Sequence, residues 1–600
     1  MMTNELRLES YDLFDTLITR ITRKPIDVFR LLGASGAVHF RWKVASLIPF
    51  HVWRRYAERF ARHCSSREDI QLKDIYRVLG AVIQQPARVM RQEIALEEAV
   101  IRPLPANVNQ LMRKHRAGFG CCIISDMYLS HSALSKLVRT HVGNLPIYVS
   151  SEVGLTKGSG GMFEHVANSE GVTFAEMHHY GDNLVADHAI PLKLGIKNTL
   201  IPVKQEGRAV SLLDTLKCPR EGDALYEMGF RVAGPTAFVM AAYLAGYVKK
   251  HPPRNIIFAA RDMHLVKHAF HLLSNYEKTH YCRISRSAVY RAQWHANSDP
   301  KRWFEGVGSG DEFFKRLGIC CPEDMRELVP HQHPQLFMSA LQNSGFPQEC
   351  AKEYNVVYDY LVNEGFQGGT LFVDLGWRGS IHDAVNDILN LEQPVEGYYF
   401  GTLESSSLKH GFYFSGSKPA KRFHRILQAV SFFEFLFTEG VPSVARIIRE
   451  GHDFGQVPTE DETQEQHEAR VQIAEGARDY IETMVLVHKA APLDSERLLQ
   501  PLDEVYNHYL LTPPAHWVAA LETMTHSGGF GGSGTSPLIG DEGGSPIGFL
   551  KAPWKGGYAV KHRASLWAPI FSAMHNWPFF VVYDALKRSV RQHRAAKLRQ

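Results

Sequence analysis

Cysteine is sparse in this chain of 600 residues, and none of its 8 cysteines forms a CxxC pair. The neighbours Cys121 and Cys122, like Cys320 and Cys321, fit small apolar packing better than disulfide bonds or zinc sites. A large excess of one charge is also missing, because 67 basic residues nearly balance 63 acidic ones. We therefore expect no nucleic-acid partner.

Long runs of purely apolar residues are missing as well. The uncharged, mostly apolar stretch 232–248 falls short of the twenty or so residues of a membrane-spanning helix. Gly234 and Pro235 stand near its start, which is typical of a buried helix in a globular domain. The first residues are polar, with no apolar export segment behind them. We expect a protein of the reducing cytoplasm whose 44% hydrophobic residues can bury several cores, which predicts two or three domains.

Residues 10–20 predict a short strand that ends in an acidic loop. Aromatic and β-branched residues give way to Asp12 and Asp15 where a parallel strand would meet its turn. Ligands of open α/β sheets bind in the crevice outside the carboxyl ends of the strands. A carboxylate held there beside a metal can attack phosphorus and form an acyl phosphate. The alternative is an ordinary solvated turn with two acids.

Three later loops supply matching chemistry in a workable order. Residues 120–128 form an apolar strand that reaches Ser125, whose hydroxyl can hold a phosphate oxygen. Lys157 follows in a glycine-rich loop, where its ammonium can neutralise the same anion. Asp182 and Asp187 then stand five residues apart. Magnesium prefers oxygen ligands and is usually bound through one or two carboxylates with water and phosphate, so this pair suits Mg²⁺.

Together the four loops resemble the motifs of the haloacid dehalogenase (HAD) superfamily over residues 1–204. The first motif is matched by Asp12 with Thr16, the second by Ser125, the third by Lys157, and the fourth by Gly181 with Asp182 and Asp187. The resemblance implies a Rossmann-like doubly wound sheet with Asp12 as the nucleophile. It implies that Mg²⁺ is held by Asp12, Asp182 and Asp187. It also implies that phosphate is bound by Thr16, Ser125, Lys157 and Asn183.

One position departs from the family pattern. HAD phosphatases carry a second aspartate two residues after the nucleophile, which protonates the leaving group, and this chain has Phe14 there. A phenyl ring cannot exchange a proton. Asp15 can substitute if the loop turns it inward. Dehalogenase members tolerate an aromatic residue at this place but lack the metal carboxylates, so the resemblance favours phosphate chemistry over carbon–halogen cleavage.

Residues 21–106, between the first two motifs, predict mainly helices. Apolar residues at three- and four-residue spacing alternate with charges over 53–60 and 89–99. In HAD proteins an insert at this point is a mobile cap that closes over the site and selects the substrate. Residues 40–55 are apolar with flanking bases, which fits either packing within the cap or an interfacial helix.

A second alternation of strands and helices begins after residue 205. Residues 255–263 predict a buried strand, 264–273 a helix, 370–377 a strand with a glycine-rich turn behind it, and 396–402 a further strand. Strands that alternate with helices indicate a second parallel α/β unit.

The glycine-rich turn over 376–380 is a candidate anion site. Its glycines let backbone N–H groups approach an anion at a helix N-terminus, and an arginine can add a bidentate contact. The spacing matches neither the P-loop nor the dinucleotide fingerprint, and a plain strand–helix turn is the alternative. The candidate residues of this second crevice are Arg261, Asp262, Arg286, Asp374, Arg378 and Ser380, with Glu434 as a weaker candidate.

These second-unit motifs resemble a group of large bacterial HAD-type proteins found among genes for surface polysaccharides. The resemblance rests on an Ala-Arg-Asp strand end at 260–262, an Arg-x-Ser-Arg segment at 283–286 and the turn after Asp374. It gives a setting and no substrate, because a fold-level analogy cannot supply one.

The C-terminal tail differs in composition. Residues 527–557 include a glycine-rich run typical of a flexible loop or linker. Aromatic residues then precede clustered bases: Trp567, Phe571, Trp577, Phe579 and Phe580, followed by Lys587, Arg588, Arg591, Arg594, Lys597 and Arg599. This order fits either peripheral contact with an anionic membrane or a solvated basic tail.

The sequence as a whole predicts an α/β enzyme with a HAD-like domain over 1–204, a second α/β domain over 205–510 and a tail over 511–600. We expect a Mg²⁺-dependent phosphatase or phosphotransferase that acts on a phosphorylated small molecule or sugar in surface polysaccharide biosynthesis. The expected location is the cytoplasm, including its inner-membrane face. The alternative is a catalytically silent HAD scaffold fused to a nucleotide-sugar-binding or glycosyltransferase module.

Overall fold

The computed structural model describes residues 6–297, 303–304, 307–404, 406–416, 421–459, 463–526, 536–540 and 543–574. The chain divides into two compact units, Met1–Lys217 with Thr483–Pro501 and Cys218–Glu482 with Leu502–Gln600. Each unit contains a five-stranded sheet whose strands all pair in parallel, together with helices, so the predicted α/β class is confirmed. The division falls after Lys217, whereas the sequence predicted it at residue 204.

The sheet of the first unit has the strand order of a Rossmann-like fold. Its strands are Leu8–Tyr11, Gly120–Ser125, Ile147–Val149, Met177–Gly181 and Lys197–Leu200. They lie side by side in the order third, second, first, fourth, fifth. The order reverses at the first strand, where Tyr11 pairs in parallel with both Ile123 and Tyr180. A ligand crevice is expected outside the carboxyl ends of the strands at this point.

The sheet is stabilised by helices packed on its apolar faces. Helix Gly161–Glu170 buries Met162, Phe163 and Val166 in one cluster with Leu8. Burial of each such side chain contributes about 1.5–3 kcal/mol. The other helices of this part are Pro105–Arg116, His131–His141, Ser150–Val153 and Ile190–Leu194, with a π-helical turn at Leu184–Ala189 and short 3₁₀ turns at Phe174–Glu176, Leu212–Asp214 and Ser495–Leu498.

A helical insertion follows the first strand, as the sequence predicted. Its helices are Pro25–Gly33, Phe50–His63, Leu72–Leu79 and Pro86–Val100, with a 3₁₀ turn at Lys43–Leu47. The antiparallel strands Ile18–Arg20 and Ile101–Pro103 join the two ends of the insertion. Inside it, Arg54 donates to both carboxylate oxygens of Glu93 at 3.0 and 2.8 Å, and Tyr76 donates to the same carboxylate at 2.7 Å.

The sheet of the second unit has a different order. Its strands are Asn255–Ala259, Thr279–Cys282, Thr370–Trp377, Glu396–Thr402 and Lys409–Ser415. They lie in the order second, first, third, fourth, fifth, which is the flavodoxin-like arrangement. The order reverses between Asn255–Ala259 and Thr370–Trp377, where a ligand crevice is again expected.

The second unit is also rich in helices. They are Ala224–Met228, Gly234–Lys250, His264–Leu273, Arg286–Ala296, Gly310–Leu317, Pro334–Asn343, Phe346–Asn363, Ser380–Leu389, Lys421–Leu427, Val430–Phe437, Ala515–Ala520, Pro546–Lys551, Lys555–Lys561 and Ala568–Met574, with a π-helical turn at Gly229–Ala233 and 3₁₀ turns at Glu323–Met325 and Pro330–Gln332. Helices Gln464–Ala490 and Leu499–Tyr509 contain residues of both units. Two antiparallel pairs complete the elements, Val444–Glu450 with Asp453–Pro458 and Thr525–His526 with Ser536–Pro537.

One helical stretch in the described residues, Ala224–Lys250, is long and apolar enough to span a membrane by length and composition. Its most apolar window is 83% buried inside the protein. This burial fits the core helix predicted for residues 232–248. Of the tail residues singled out above, Trp567 and Phe571 are described. The glycine run at 528–534, Trp577, Phe579, Phe580 and the basic cluster after residue 586 lie outside the described residues.

Candidate active site and a second cavity

The candidate active site of the first unit is built around Lys157. Its Nζ donates to Oδ1 of Asp12 at 2.6 Å and to Oδ1 of Asp187 at 2.5 Å. Asp12 directly follows the first strand, and its backbone N–H donates to Tyr180 O at 2.7 Å, which ties the loop to the neighbouring strand. The ammonium group therefore lies between two carboxylates that are far apart in the sequence.

Asp187 is held from several sides. His179 Nε2 lies 3.1 Å from its Oδ1, and the backbone N–H of Asn183 donates to its Oδ2 at 3.0 Å. Burial alone would raise the pKa of Asp187, but the hydrogen bond from His179 and the charge of Lys157 outweigh it and hold that pKa well below its usual range. Sequence reasoning missed the role of His179, whose only signal was its place three residues before Asp182.

The loop that carries Lys157 is anchored by a residue that sequence reasoning also missed. The backbone N–H of Lys157 donates to both carboxylate oxygens of Asp126 at 3.1 Å. Asp126 directly follows Ser125, so the second and third motifs are joined by this contact. Burial would lower the pKa of the Lys157 ammonium, but Asp12 and Asp187 raise it above its ordinary value and keep the group charged.

Three carboxylates at this site can hold a metal ion. Asp12, Asp182 and Asp187 each offer an oxygen, and these atoms lie within 4.8 Å of one another. Burial raises the pKa of Asp12 to about 7, with Lys157 opposing and Asp187 adding to the shift. Burial, followed by Asp15 and Asp187, raises the pKa of Asp182 to about 6.

Asp182 forms no ion pair among the described residues, so Lys157 leaves part of the negative charge of this cluster unbalanced. Oxygen donors with surplus negative charge match the preference of Mg²⁺. The residues present therefore fit a divalent cation.

Two of the residues predicted to bind phosphate carry buried hydroxyls. Thr16 is fully buried, and its Oγ1 has no hydrogen-bond partner. Ser125 is buried at the end of the strand next to the one that precedes Asp12. Asn183, the third phosphate candidate, uses its side-chain oxygen to accept from the N–H groups of Val185 and Ala186 at 2.9 and 3.0 Å. Its oxygen therefore caps the following helical turn.

Phe14, which stands at the position of the missing general acid, and Asp15, its candidate replacement, have different neighbours. The Arg20 guanidinium lies 4.1 Å from the centre of the Phe14 ring, and Arg20 is held by Glu97 at 2.8 Å. Asp15 has a left-handed backbone, with φ of 55°, and its Oδ1 accepts a hydrogen bond from Thr19 at 2.7 Å. Asp15 is nevertheless close enough to Asp182 to raise its pKa.

The second unit contains a cavity of about 580 Å³ where its strand order reverses. All six second-unit candidates line it: Arg261, Asp262, Arg286, Asp374, Arg378 and Ser380. Helices Lys421–Leu427 and Val430–Phe437 add an apolar wall with Phe423, Leu427 and Val430, three residues that were not predicted to line a site.

Two polar groups of this cavity, the Asp374 carboxyl and Nε of Arg261, are buried. Burial, reinforced by Asp262, raises the pKa of Asp374 to about 7. Arg261 has a left-handed backbone with φ of 73°, and its Nε is buried without a hydrogen-bond partner. Trp377 Nε1 donates to Oε1 of Glu434 at 2.7 Å, which explains how that acid is accommodated among aromatic residues. The cavity thus combines arginines, carboxylates and an apolar wall.

No protein-family model and no curated protein matches the chain. Among solved structures, it is similar to a HAD family enzyme from Bacteroides thetaiotaomicron, with 13% identity and a TM-score of 0.25 over 33% of this chain and 93% of that one. It is also similar to L-2-haloacid dehalogenase from Xanthobacter autotrophicus, with 15% identity and a TM-score of 0.24 over 33% and 77%. A third similar structure is the HAD-hydrolase YfnB from Bacillus subtilis bound to magnesium, with 14% identity and a TM-score of 0.24 over 33% and 87%.

Proposed function

We propose that the first unit is a HAD-type hydrolase or phosphotransferase that uses Mg²⁺ and forms an aspartyl phosphate at Asp12. The observation that carries the proposal is the Lys157 ammonium between Asp12 and Asp187, with Asp182 beside them. One lysine and three carboxylates at the reversal point of a parallel sheet form a site for a phosphate and a divalent cation.

In this proposal, an oxygen of Asp12 attacks phosphorus while the bond from phosphorus to the leaving oxygen breaks. Lys157 is already fixed beside that carboxylate and stabilises the charge on the transferring group. Thr16, with its unpartnered buried hydroxyl, and Ser125 supply neutral donors for phosphate oxygens. Water, or a second acceptor, then takes the phosphoryl group and restores Asp12.

Asp12, Asp182 and Asp187 would hold Mg²⁺. When bound, Mg²⁺ acts as a Lewis acid that offsets negative charge on the phosphate and the carboxylates. His179, Asn183 and Lys157 keep Asp187 oriented for this role.

The residue that protonates the leaving group determines which phosphate esters this site can hydrolyse quickly. Phe14 cannot donate a proton, and Asp15 is engaged with Thr19. If no residue replaces the missing acid, leaving groups of low pKa, such as aryl oxides, react far faster than sugar hydroxyls. If Asp15 supplies the proton, the two classes react at similar rates.

Trapping of the acyl phosphate tests the proposal against a silent scaffold. The full chain is incubated with Mg²⁺ and either beryllium fluoride or a radiolabelled phosphodonor, beside an Asp12→Asn variant. We expect a Mg²⁺-dependent adduct in the wild type and none in Asp12→Asn. Absence of any adduct in both proteins, with both folded, would support the scaffold instead.

A leaving-group series tests Asp15. Turnover of p-nitrophenyl phosphate and of a panel of sugar phosphates is measured for the wild type, Asp15→Asn and Asp15→Glu. If Asp15 is the acid, the Asn variant loses about 10²–10⁴-fold on sugar phosphates and much less on the aryl ester. Equal losses on both substrates would assign Asp15 to loop structure.

The cavity of the second unit supports a second proposal, that this unit binds a phosphorylated sugar or nucleotide-sugar. Arginines bind phosphate through paired hydrogen bonds, and carboxylates accept from sugar hydroxyls. Arg261, with its unpartnered Nε, and Asp374 line the same cavity, and the apolar wall can cover a base or a sugar face. Because the motifs of this unit resemble those of HAD-type proteins found among genes for surface polysaccharides, we include a role in surface polysaccharide assembly in this proposal.

Ligand titration of the full chain tests this site. Calorimetry with a panel of sugar phosphates and nucleotide-sugars compares the wild type with Arg378→Gln and Asp374→Asn. Arg254→Gln is the matched control, because this exposed arginine is outside the cavity lining. Binding by the wild type and the control, with weaker binding by both cavity variants, supports the proposal. Failure of every ligand in the panel would remove it.

A further inference from the structure

One face of helix Phe50–His63 is exposed and has an unusual composition. The helix turns Phe50, Arg54, Ala57 and Ala61 inward. At three- and four-residue spacing it exposes Val52, Tyr56 and Phe60, alternating with Arg55 and Arg59. A helix face turned to water normally carries polar residues of both signs. This face instead combines apolar and basic side chains.

The segment just before the helix extends the exposed apolar surface. Leu47 is 80% exposed, Val44 75% and Trp42 65%, whereas Ala45 is buried and holds the segment against the unit. Trp42 Nε1 donates to Ala81 O at 3.3 Å, so this tryptophan is fixed although it faces outward. Contiguous exposed apolar side chains of this kind mark an interaction surface.

A basic cleft lies beside the same helix. It has a volume of about 520 Å³ and is lined by Lys24, Arg30, Arg55, Arg59 and Arg208, with Asp27 as the single acid in its lining. Arg30 pairs with that acid at 3.2 Å. Burial lowers the pKa of His51 in this cleft, and Arg30, Arg55 and Arg208 lower it further. The cleft therefore carries a strong surplus of positive charge.

We propose that this apolar and basic face docks the first unit on an anionic membrane surface. The basic cleft binds lipid phosphates, while Trp42, Leu47, Tyr56 and neighbouring apolar side chains enter the interfacial layer of the bilayer. Amphipathic surfaces with bases beside aromatic and aliphatic residues bind membranes through both contributions. The inference does not depend on the reaction proposed above.

Charge and apolar area favour the membrane over other occupants. A second copy of the chain in a two-fold arrangement would place like-charged surfaces against each other, which is unfavourable. A nucleic-acid backbone would satisfy the bases but would leave Val44, Leu47 and Val52 without an apolar environment. An anionic bilayer matches both features of the surface.

Vesicle flotation of the full chain tests the proposal. Vesicles of phosphatidylcholine with phosphatidylglycerol are compared with vesicles of phosphatidylcholine alone. We expect the wild type to bind only the anionic vesicles and to dissociate at 1 M salt, where charges are screened within about 3 Å. Equal binding to both vesicle types, or to neither, would overturn the proposal.

Variants locate the surface. The double change Arg55→Gln with Arg59→Gln should weaken binding about 30-fold, since each base near an anionic surface contributes about 1 kcal/mol. Leu47→Glu should also weaken binding, at little cost to folding because Leu47 is largely exposed. The matched control is Arg113→Gln with Arg116→Gln, an exposed pair on another helix of the same unit. Equal losses in the control would show nonspecific attraction and refute this face as the docking site.

Two further measurements exclude other occupants. Inorganic phosphate is titrated as a free anion: binding of phosphate without any recruitment to vesicles would reduce the cleft to a small-anion site and refute docking. Sedimentation of the wild type and Leu47→Glu reports the oligomeric state. A dimer that dissociates in the variant, without vesicle binding by either protein, would assign the face to self-association.

Discussion

Replacement of Gly181 by alanine should disrupt the candidate metal site through a single methyl group. Gly181 ends the fourth strand of the first sheet and lies directly behind the Asp187 side chain. A Cβ at this position would lie 2.5 Å from Cβ of Asp187 and would overlap its carboxyl carbon. Ordinary carbon contacts begin near 3.5 Å, so Asp187 would have to move by about 1 Å.

Asp187 has little freedom to accept that movement. Its carboxylate is fixed by Lys157, His179 and the backbone N–H of Asn183. A displacement of about 1 Å in a reacting constellation typically costs about 10²-fold in rate. We therefore expect Gly181→Ala to lose about 10²-fold in phosphate turnover or acyl-phosphate formation, together with weaker Mg²⁺ binding.

The assay pairs a binding readout with an activity readout. Metal affinity is measured from the rise of the unfolding temperature as Mg²⁺ is added, since a ligand that binds the folded state stabilises it. Acyl-phosphate trapping reports chemistry. Gly207→Ala is the control, because its Cβ would meet only the end of Arg23 at 3.9 Å. The argument would be refuted if Gly181→Ala bound Mg²⁺ as tightly as Gly207→Ala and formed as much acyl phosphate.

Three further predictions concern stability. Glu93→Ala removes the fully buried partner of Arg54, which then keeps only the half-buried Glu58, and should destabilise the first unit by about 3 kcal/mol in urea unfolding. The exposed-pair control Arg77→Ala should cost less than about 1 kcal/mol. The pKa of Asp374 is about 7 in the folded protein against an ordinary 3.8, so between these pH values the folded protein keeps this carboxyl protonated while the unfolded chain does not. The free energy of unfolding therefore falls as pH rises from about 4 to 7, by up to about 4 kcal/mol. Asp374→Asn should abolish this fall, which is measured by comparing unfolding at about pH 4 and pH 8. Asn183→Ala removes a helix cap and should lower stability by about 1 kcal/mol, and an unchanged unfolding midpoint would contradict that role.

Local sequence signals located the strands around the two candidate sites well. Strand Glu396–Thr402 and helix His264–Leu273 are observed at the predicted residues. Both have continuous apolar patterns that end at clear turn signals, so short-range information is sufficient there. Strand Lys409–Ser415 was missed, because it pairs in parallel with its predecessor after a short connection that is unusual for parallel strands.

Side-chain roles depended on the tertiary structure. The sequence identified Asp12, Lys157 and Asp187 by chemistry and order, but the contacts of Lys157 with both acids exist only because the strand order brings their loops together. Asp126 anchors Lys157 through a backbone contact that leaves no residue-type signature.

Residues 40–55 show the same limit. Their composition fitted either cap packing or an interfacial helix, and the structure shows only that Phe50 and Arg54 are buried while Leu47 and Val52 are exposed. Periodicity in a sequence predicts that a helix has two faces. Which face meets the core, and whether an apolar side chain stays in water, is decided by the neighbours that the rest of the chain brings to it.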